Sequence, residues 1–151
     1  MPALPMPHRA LQLVPSNDPI LRQPCRPVEE SELAELRDSK FLYWLNKFVK
    51  QQKGLAIAAP QLGDSRAWFY SAHAGIGLVV NPLITWQSGA VETRPEGCLS
   101  FPGQTALVTR PLEIHVSYLD EHGPRERRLH YLPARIFLHE YDHLQGKCIV
   151  P

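Results

Sequence analysis

Apolar positions along the chain follow two periods, and their order predicts the architecture. From Glu29 to about Gln52, Leu33, Leu36, Leu42, Leu45 and Val49 recur at helical spacing with Phe41, Trp44 and Phe48 alongside. This predicts one amphipathic helix stopped at Gly54, with its aromatic stripe packed in the core. Ahead of it, residues 1–27 are proline-rich and irregular, and Asp18-Pro19-Ile20-Leu21-Arg22 is the one compact apolar cluster. An extended arm closing into a turn or short helix is expected there. Beyond Gly54 come short β-rich stretches divided by Gly, Pro and Asn: 67–71, 77–80 ahead of Asn81-Pro82, 104–108, and 113–119 before the turn Asp120-Glu121-His122-Gly123. Such punctuation predicts an antiparallel, turn-linked sheet region. Helical periodicity returns over 132–144, with Gly146 as its stop. The expected fold class is α+β: a long N-terminal helix, antiparallel β-sheets and a final helix.

Composition adds bounds. A chain of 151 residues suffices for one domain with a proper core, so residues 1–151 are read as a single domain. Hydrophobic residues at 44%, charged residues at 21% and a formal net charge of +1 give no electrostatic reason to expect nucleic acid or an anionic membrane as partner. The N-terminal stretch Met1-Pro2-Ala3-Leu4-Pro5-Met6-Pro7 lacks a continuous apolar segment, and no run is long enough to span a bilayer, so a cytoplasmic location is expected. Cys25, Cys98 and Cys148 are an odd and sparse set, which fits reduced thiols better than a disulfide framework.

The chemistry concentrates in the final helix, at His139-Glu140-Tyr141-Asp142-His143. Imidazoles four residues apart on a helix face the same way and can grip one metal ion. Glu140 lies between them, placed to reach a water on that ion as a general base without being a ligand. A catalytic site of this kind usually takes three protein ligands. Downstream of His143 the sole ligand-type residue is Cys148, beyond the helix stop, which argues against the usual zinc-protease arrangement. Upstream, Glu96-Gly97-Cys98-Leu99-Ser100 puts a thiol in a glycine-containing loop ahead of Pro102-Gly103.

Taken with Gly54-Leu55-Ala56-Ile57-Ala58-Ala59-Pro60-Gln61, these three phrases in this order resemble the peptide deformylase family, whose motifs are G-Φ-G-Φ-A-A-x-Q, E-G-C-x-S and H-E-x-D-H. The likeness runs from about residue 10 to the C-terminus, and Asp18-Pro19-Ile20-Leu21-Arg22, Asn81-Pro82 and Ala134-Arg135 agree with it. The compact outline, ending at Cys148-Ile149-Val150-Pro151 without a C-terminal helix, resembles deformylases encoded by phages.

The resemblance implies a hydrolase that removes the N-formyl group from the initiator methionine of nascent polypeptides. It implies Cys98, His139 and His143 as ligands to one divalent ion, with water in the fourth place and Glu140 carrying its proton to the leaving amine. A thiolate with two imidazoles suits Fe(II) or Zn(II); the family characteristically uses Fe(II), with Zn(II), Ni(II) or Co(II) replacing it in purified protein. The Gln61 amide and the Leu99 backbone N–H are implied as donors to the developing oxyanion. Leu132, Arg135 and Ile136, on the metal-facing side of the helix, are expected to wall the methionine pocket, and the backbones of Leu55, Ala56 and Gly97 to pair with an extended substrate. N-formylmethionyl nascent peptides are therefore the expected partners, with a transient ribosome contact besides. Glu96 is expected to hold its loop through an arginine such as Arg94 or Arg135, and Asp142 to anchor the helix or orient a group behind a ligand.

The chain departs from the pattern at two positions. Ala56 stands where the first motif has its second glycine, which requires an ordinary β backbone or weakens substrate approach. Leu138 stands where a glutamine usually precedes the first histidine. Two other readings are weighed beside deformylation: another H-E-x-x-H hydrolase such as a peptidase, and a non-catalytic metal- or ribosome-binding homologue.

Overall fold

Side-chain alternation in the central strands decides the layering of the molecule. The computed structural model describes residues 11–151. Its strands in chain order are β1 (Ala56–Ala58), β2 (Trp68–Ser71), β3 (Gly77–Gln87), β4 (Val91–Gly97), β5 (Thr105–Pro111), β6 (Glu113–Leu119) and β7 (Pro124–His130). One antiparallel sheet runs in the order β1-β2-β3-β6-β7, and β4 pairs with β5 as a separate two-stranded sheet. Successive residues of the central strands enter opposite cores. Ile57, Trp68, Leu78 and Val80 pack with Leu45, Phe48 and Val49 of helix α2 (Ser39–Gln51). Ala58, Phe69 and Val79 pack with Ala134, Phe137 and Leu138 of helix α3 (Tyr131–Leu144). A sheet covered on both faces needs apolar residues at every position, hence the near-continuous runs at Trp68-Phe69 and Leu78-Val79-Val80. Each such fully buried side chain contributes about 1.5–3 kcal/mol. Edge-on aromatic pairs, Phe41–Trp68 and Phe69–Phe137, fix the two helices against the sheet.

The α+β class holds, while several boundaries differ from expectation. The helix expected from Glu29 to Gln52 is broken: a 3-10 turn (Glu30–Glu32) and a short α1 (Leu33–Leu36) precede α2. Asp38 is the cause. It adopts an extended backbone and its carboxylate accepts from the Phe41 N–H at 2.9 Å, so it caps a new helix instead of continuing the old one. The stop at the far end belongs to Lys53, not Gly54. Lys53 takes the left-handed conformation at φ 59°, with Lys53 N–H bonded to Lys50 and Gly54 N–H to the Val49 carbonyl. Gly54 serves close approach instead, because a Cβ there would sit 2.8 Å from Leu99 Cδ1.

Strand β3 does not end before Asn81-Pro82 but runs through it, with a register shift between Val80 and Leu83 and φ 50° at Asn81. The Asn81 side chain accepts from the Val28 N–H and donates to the Val28 carbonyl, tying the arm to the sheet. The arm forms a 3-10 turn (Pro19–Arg22) capped by Asp18. Its first ten residues lie outside the described part. Gly146 ends α3 at φ 76°, where a Cβ would meet the Arg22 carbonyl carbon and oxygen at 2.8 Å.

Candidate metal centre and cleft

Helix α3 presents His139 and His143 one turn apart, with ring centroids separated by 5.1 Å. Cys98 follows β4 and brings its Sγ to 3.3 Å from His143 Nε2. One ligand atom from each of these three residues lies within 4.8 Å of the others, and among the described residues they are the group able to close on an ion.

The ring of His139 is held from behind. Its Nδ1 lies 2.9 Å from Glu96 Oε1, which leaves Nε2 for the centre. Glu96 is the buried residue of an otherwise exposed β4. Arg110 reaches it with two bonds, Nε to Oε2 at 2.7 Å and Nη2 to Oε1 at 2.9 Å, while Arg135 Nη1 donates to Oε2 at 2.6 Å. Burial pushes the Glu96 carboxyl up, but the bonds and charges of Arg110 and His139 outweigh it and hold it at about 2. Arg110 Nη1 also donates to Asp142 Oδ2 at 2.9 Å, so one guanidinium braces the loop of Cys98 and the helix of both histidines. The arginine expected at Glu96 is thus half correct: Arg135 binds it, whereas Arg94 instead lies 3.8 Å from Glu92. Arg110 escaped sequence reasoning because nothing in its local pattern distinguishes it from an exposed strand residue.

Protein charges alone suit a cation at this point. Burial pulls His139 down, yet the Cys98 thiol, Glu96 and Glu140 outweigh it and raise the imidazole to about 10. Burial and the charges of His139 and Arg110 drive His143 to about 3, holding it neutral, as a ligand must be. The centre thus favours positive charge beside a thiol and carboxylates, and an ion bound there would take the place of the His139 proton. The donor set is one that iron or zinc accepts.

Glu140 lies at the floor, its Oε2 4.0 Å from His139 Nε2 and its buried Oε1 without a hydrogen-bond partner. Burial is the main influence on it and raises the carboxyl to about 7, with His139 and Arg110 opposing. Gln61 is buried, its Oε1 accepting from the Ala58 N–H at 2.8 Å. That orients Nε2 toward Ser100 Oγ at 3.0 Å and Cys98 Sγ at 3.6 Å. The Leu99 backbone N–H is unpaired among the described residues.

These groups open into a cleft of about 580 Å³. Every residue expected to contact substrate borders it: Leu55, Ala56, Gly97, Leu132, Arg135 and Ile136. The Arg135 guanidinium is not free, because it is committed to Glu96 and to the carbonyls of Val108 and Glu92. Ala56 sits in regular β1 paired with Ser71, the ordinary β backbone that its methyl group demands. Leu138 is buried in the core beneath α3.

Fold and site together define a class: an α+β protein carrying a Cys-His-His group that could hold a single ion, with a buried carboxylate beside it at the floor of a cleft. The sequence profile of the polypeptide deformylase family matches residues 10–151. Peptide deformylase 2 of Prochlorococcus marinus is 35% identical over 160 residues, covering 99% of this chain and 77% of that protein. The crystal structure of peptide deformylase from Thermotoga maritima superposes with a TM-score of 0.85 at 33% identity, over 95% of this chain and 97% of that one. A probable peptide deformylase from Synechococcus phage S-SSM7 gives 0.83 at 32% identity, over 93% and 98%. The chain belongs to the polypeptide deformylase family. It is a hydrolase of that kind, whose substrates are N-formylated nascent peptides and whose family uses a single divalent ion. No helix among the described residues is long and apolar enough to cross a membrane.

Proposed function

We propose that residues 1–151 form one deformylase domain working in the cytoplasm, with Cys98, His139 and His143 holding the ion, Fe(II) in the cell. The observation that carries the reading is the buried, unpartnered Glu140 carboxylate beside three converging ligand atoms. When bound, the ion supplies Lewis acidity toward water and the formyl oxygen. Glu140 takes the proton of the attacking water at its carboxylate and returns one to the methionine amine as the C–N bond breaks. Gln61 Nε2 and the Leu99 N–H donate to the oxygen that gains negative charge, and the Ala58 N–H holds the Gln61 amide in the donating orientation. Leu132 and Ile136 wall the pocket for the methionine side chain, with Arg135 bracing that wall. Leu55, Ala56 and Gly97 offer backbone groups to the extended peptide between the free edges of β1 and β4. Contact with the ribosome, where the substrate emerges, belongs to this reading as a transient one.

The test is release of formate from a formyl-Met peptide by anaerobically prepared, iron-loaded protein with its metal content measured. Glu140→Ala is expected to keep the ion and lose about 10²–10⁴-fold in kcat. Deformylation at the parent rate in that variant would sink the assignment of Glu140. Cleavage of unformylated peptides with no formate released would revive the peptidase reading.

A further inference from the structure

The cleft rim is electrostatically one-sided. Its charged lining residues are Lys53, Glu96, Arg135, His139 and Glu140. Glu96 and Arg135 satisfy each other within the buried cluster, while His139 and Glu140 lie at the floor. Lys53 alone of these is exposed, and among the described residues its ammonium has neither ion pair nor side-chain hydrogen bond. Gly103, Gln104 and Thr105, which also line the cleft, carry no charge. The backbone of Lys53 adds a second observation. Its φ of 59° places it in the left-handed conformation that ends α2, a position where glycine is the unstrained choice. A long cationic side chain thus occupies a site that local geometry disfavours, at the mouth of the cleft.

Its place along the cleft follows from β1. That strand is the edge of the five-stranded sheet, and its C-terminal end leads through Ala58 to Gln61, whose Nε2 lies 3.6 Å from Cys98 Sγ, so that Ala56, Leu55 and then Lys53 follow away from that end along the cleft. A peptide whose formyl group is at the ion and which adds to this edge runs outward past Ala56, Leu55 and Gly54. At about 3.3 Å per residue it reaches Lys53 with its second or third residue after the formylmethionine. We infer that Lys53 is a specificity-determining residue that selects nascent peptides carrying an acidic side chain at the second or third position after formylmethionine and disfavours basic ones there. The inference rests on the deformylase reading. Lys53 acts on binding, through one solvent-screened charge pair.

The experiment compares C-terminally amidated formyl-Met-Ala-Glu-Ser, formyl-Met-Ala-Lys-Ser and the neutral formyl-Met-Ala-Ala-Ser, with the same substitutions repeated one residue later, on the iron-loaded enzyme. The expected kcat/KM ratio of the Glu to the Lys peptide is about fivefold at low ionic strength, carried by KM. It is expected to shrink at about 0.5 M salt, where the Debye length falls to a few ångströms. Lys53→Gly suits the left-handed backbone and should melt no lower than the parent, while its ratio falls to about one; Lys53→Glu should invert the ratio. A purely structural lysine would move the melting temperature and leave the ratio alone, so a ratio that survives in Lys53→Gly overturns the inference. A parent ratio of one at both positions does the same. Failure to release formate even from the neutral peptide would overturn the deformylase reading, and this inference with it.

Discussion

Two buried arginine clusters hold this molecule together, and only one of them reaches the chemistry. Arg66, with no solvent exposure, donates to Asp64 from Nε and Nη2 and pairs through Nη1 with Glu32 and Glu35. Trp68 Nε1 donates to the same Asp64 carboxylate at 3.0 Å. This cluster joins the segment before α2 to the start of β2, and every partner ends in scaffold. Arg110 and Arg135 likewise enclose a carboxylate, Glu96, but its Oε1 also holds His139 Nδ1. The same physics, charge-assisted bonds under low solvent exposure, serves architecture in one place and ligand geometry in the other. What separates them is a single additional acceptor contact.

The sharpest way to break this comparison is to remove each centre in turn. Arg66→Ala leaves buried carboxylates uncompensated and is expected to cost about 3–5 kcal/mol in chemical denaturation. Metal content per folded molecule should stay at the parent level; loss of the ion in step with stability would show that the Arg66 cluster also supports the centre. Glu96→Gln keeps the volume but withdraws the charged acceptor from His139. Metal titration against a chelator should then register about 10–100-fold weaker binding. Unaltered affinity would reduce Glu96 to the scaffold role of Asp64.

The smallest expected effect lies at the solvent edge of the first cluster. The Arg26 hydrogen bond is foremost in lowering Glu32 to about 2 from an ordinary value of 4.5. A carboxyl depressed in the folded state contributes stability that is fully present above 4.5 and is lost as pH falls through about 2. Arg26→Ala moves Glu32 back toward its ordinary value, so the decline in urea midpoint across that window should flatten, with little change in metal binding. An unchanged slope would show that Glu32 draws its depression from elsewhere.

Legibility in the sequence tracked how local each feature is. Glu113–Leu119 was readable to the residue because Ile114, Val116 and Tyr118 face the core while their neighbours are half exposed. Strands β4 and β7 were missed for the opposite reason: Val91–Gly97 and Pro124–His130 bury one residue each and read as charged, proline-containing loop. The break at Asp38 was hidden by apolar positions that kept helical spacing across it, while the carboxylate bond to the Phe41 N–H decided the matter. In the site, Cys98, His139, Glu140, His143 and Gln61 all stand inside recognisable phrases, and the fold brings them together, with His143 buried and the other four lining the cleft. Arg110 stands in none, though it spans the Cys98 loop and α3.

By itself the sequence determined what backbone periodicity controls: two imidazoles on one face of a helix, Glu140 between them, and strands whose alternation builds a core on each side of a sheet. Tertiary structure decided what no period encodes. It brought Cys98 to His143 across 45 positions, placed Arg110 between Glu96 and Asp142, and left Lys53 unpaired at the rim. Periodicity is imposed by dihedral geometry within a few residues. Charge partners, in contrast, are chosen by strand register and helix placement, which are settled only when the two cores close.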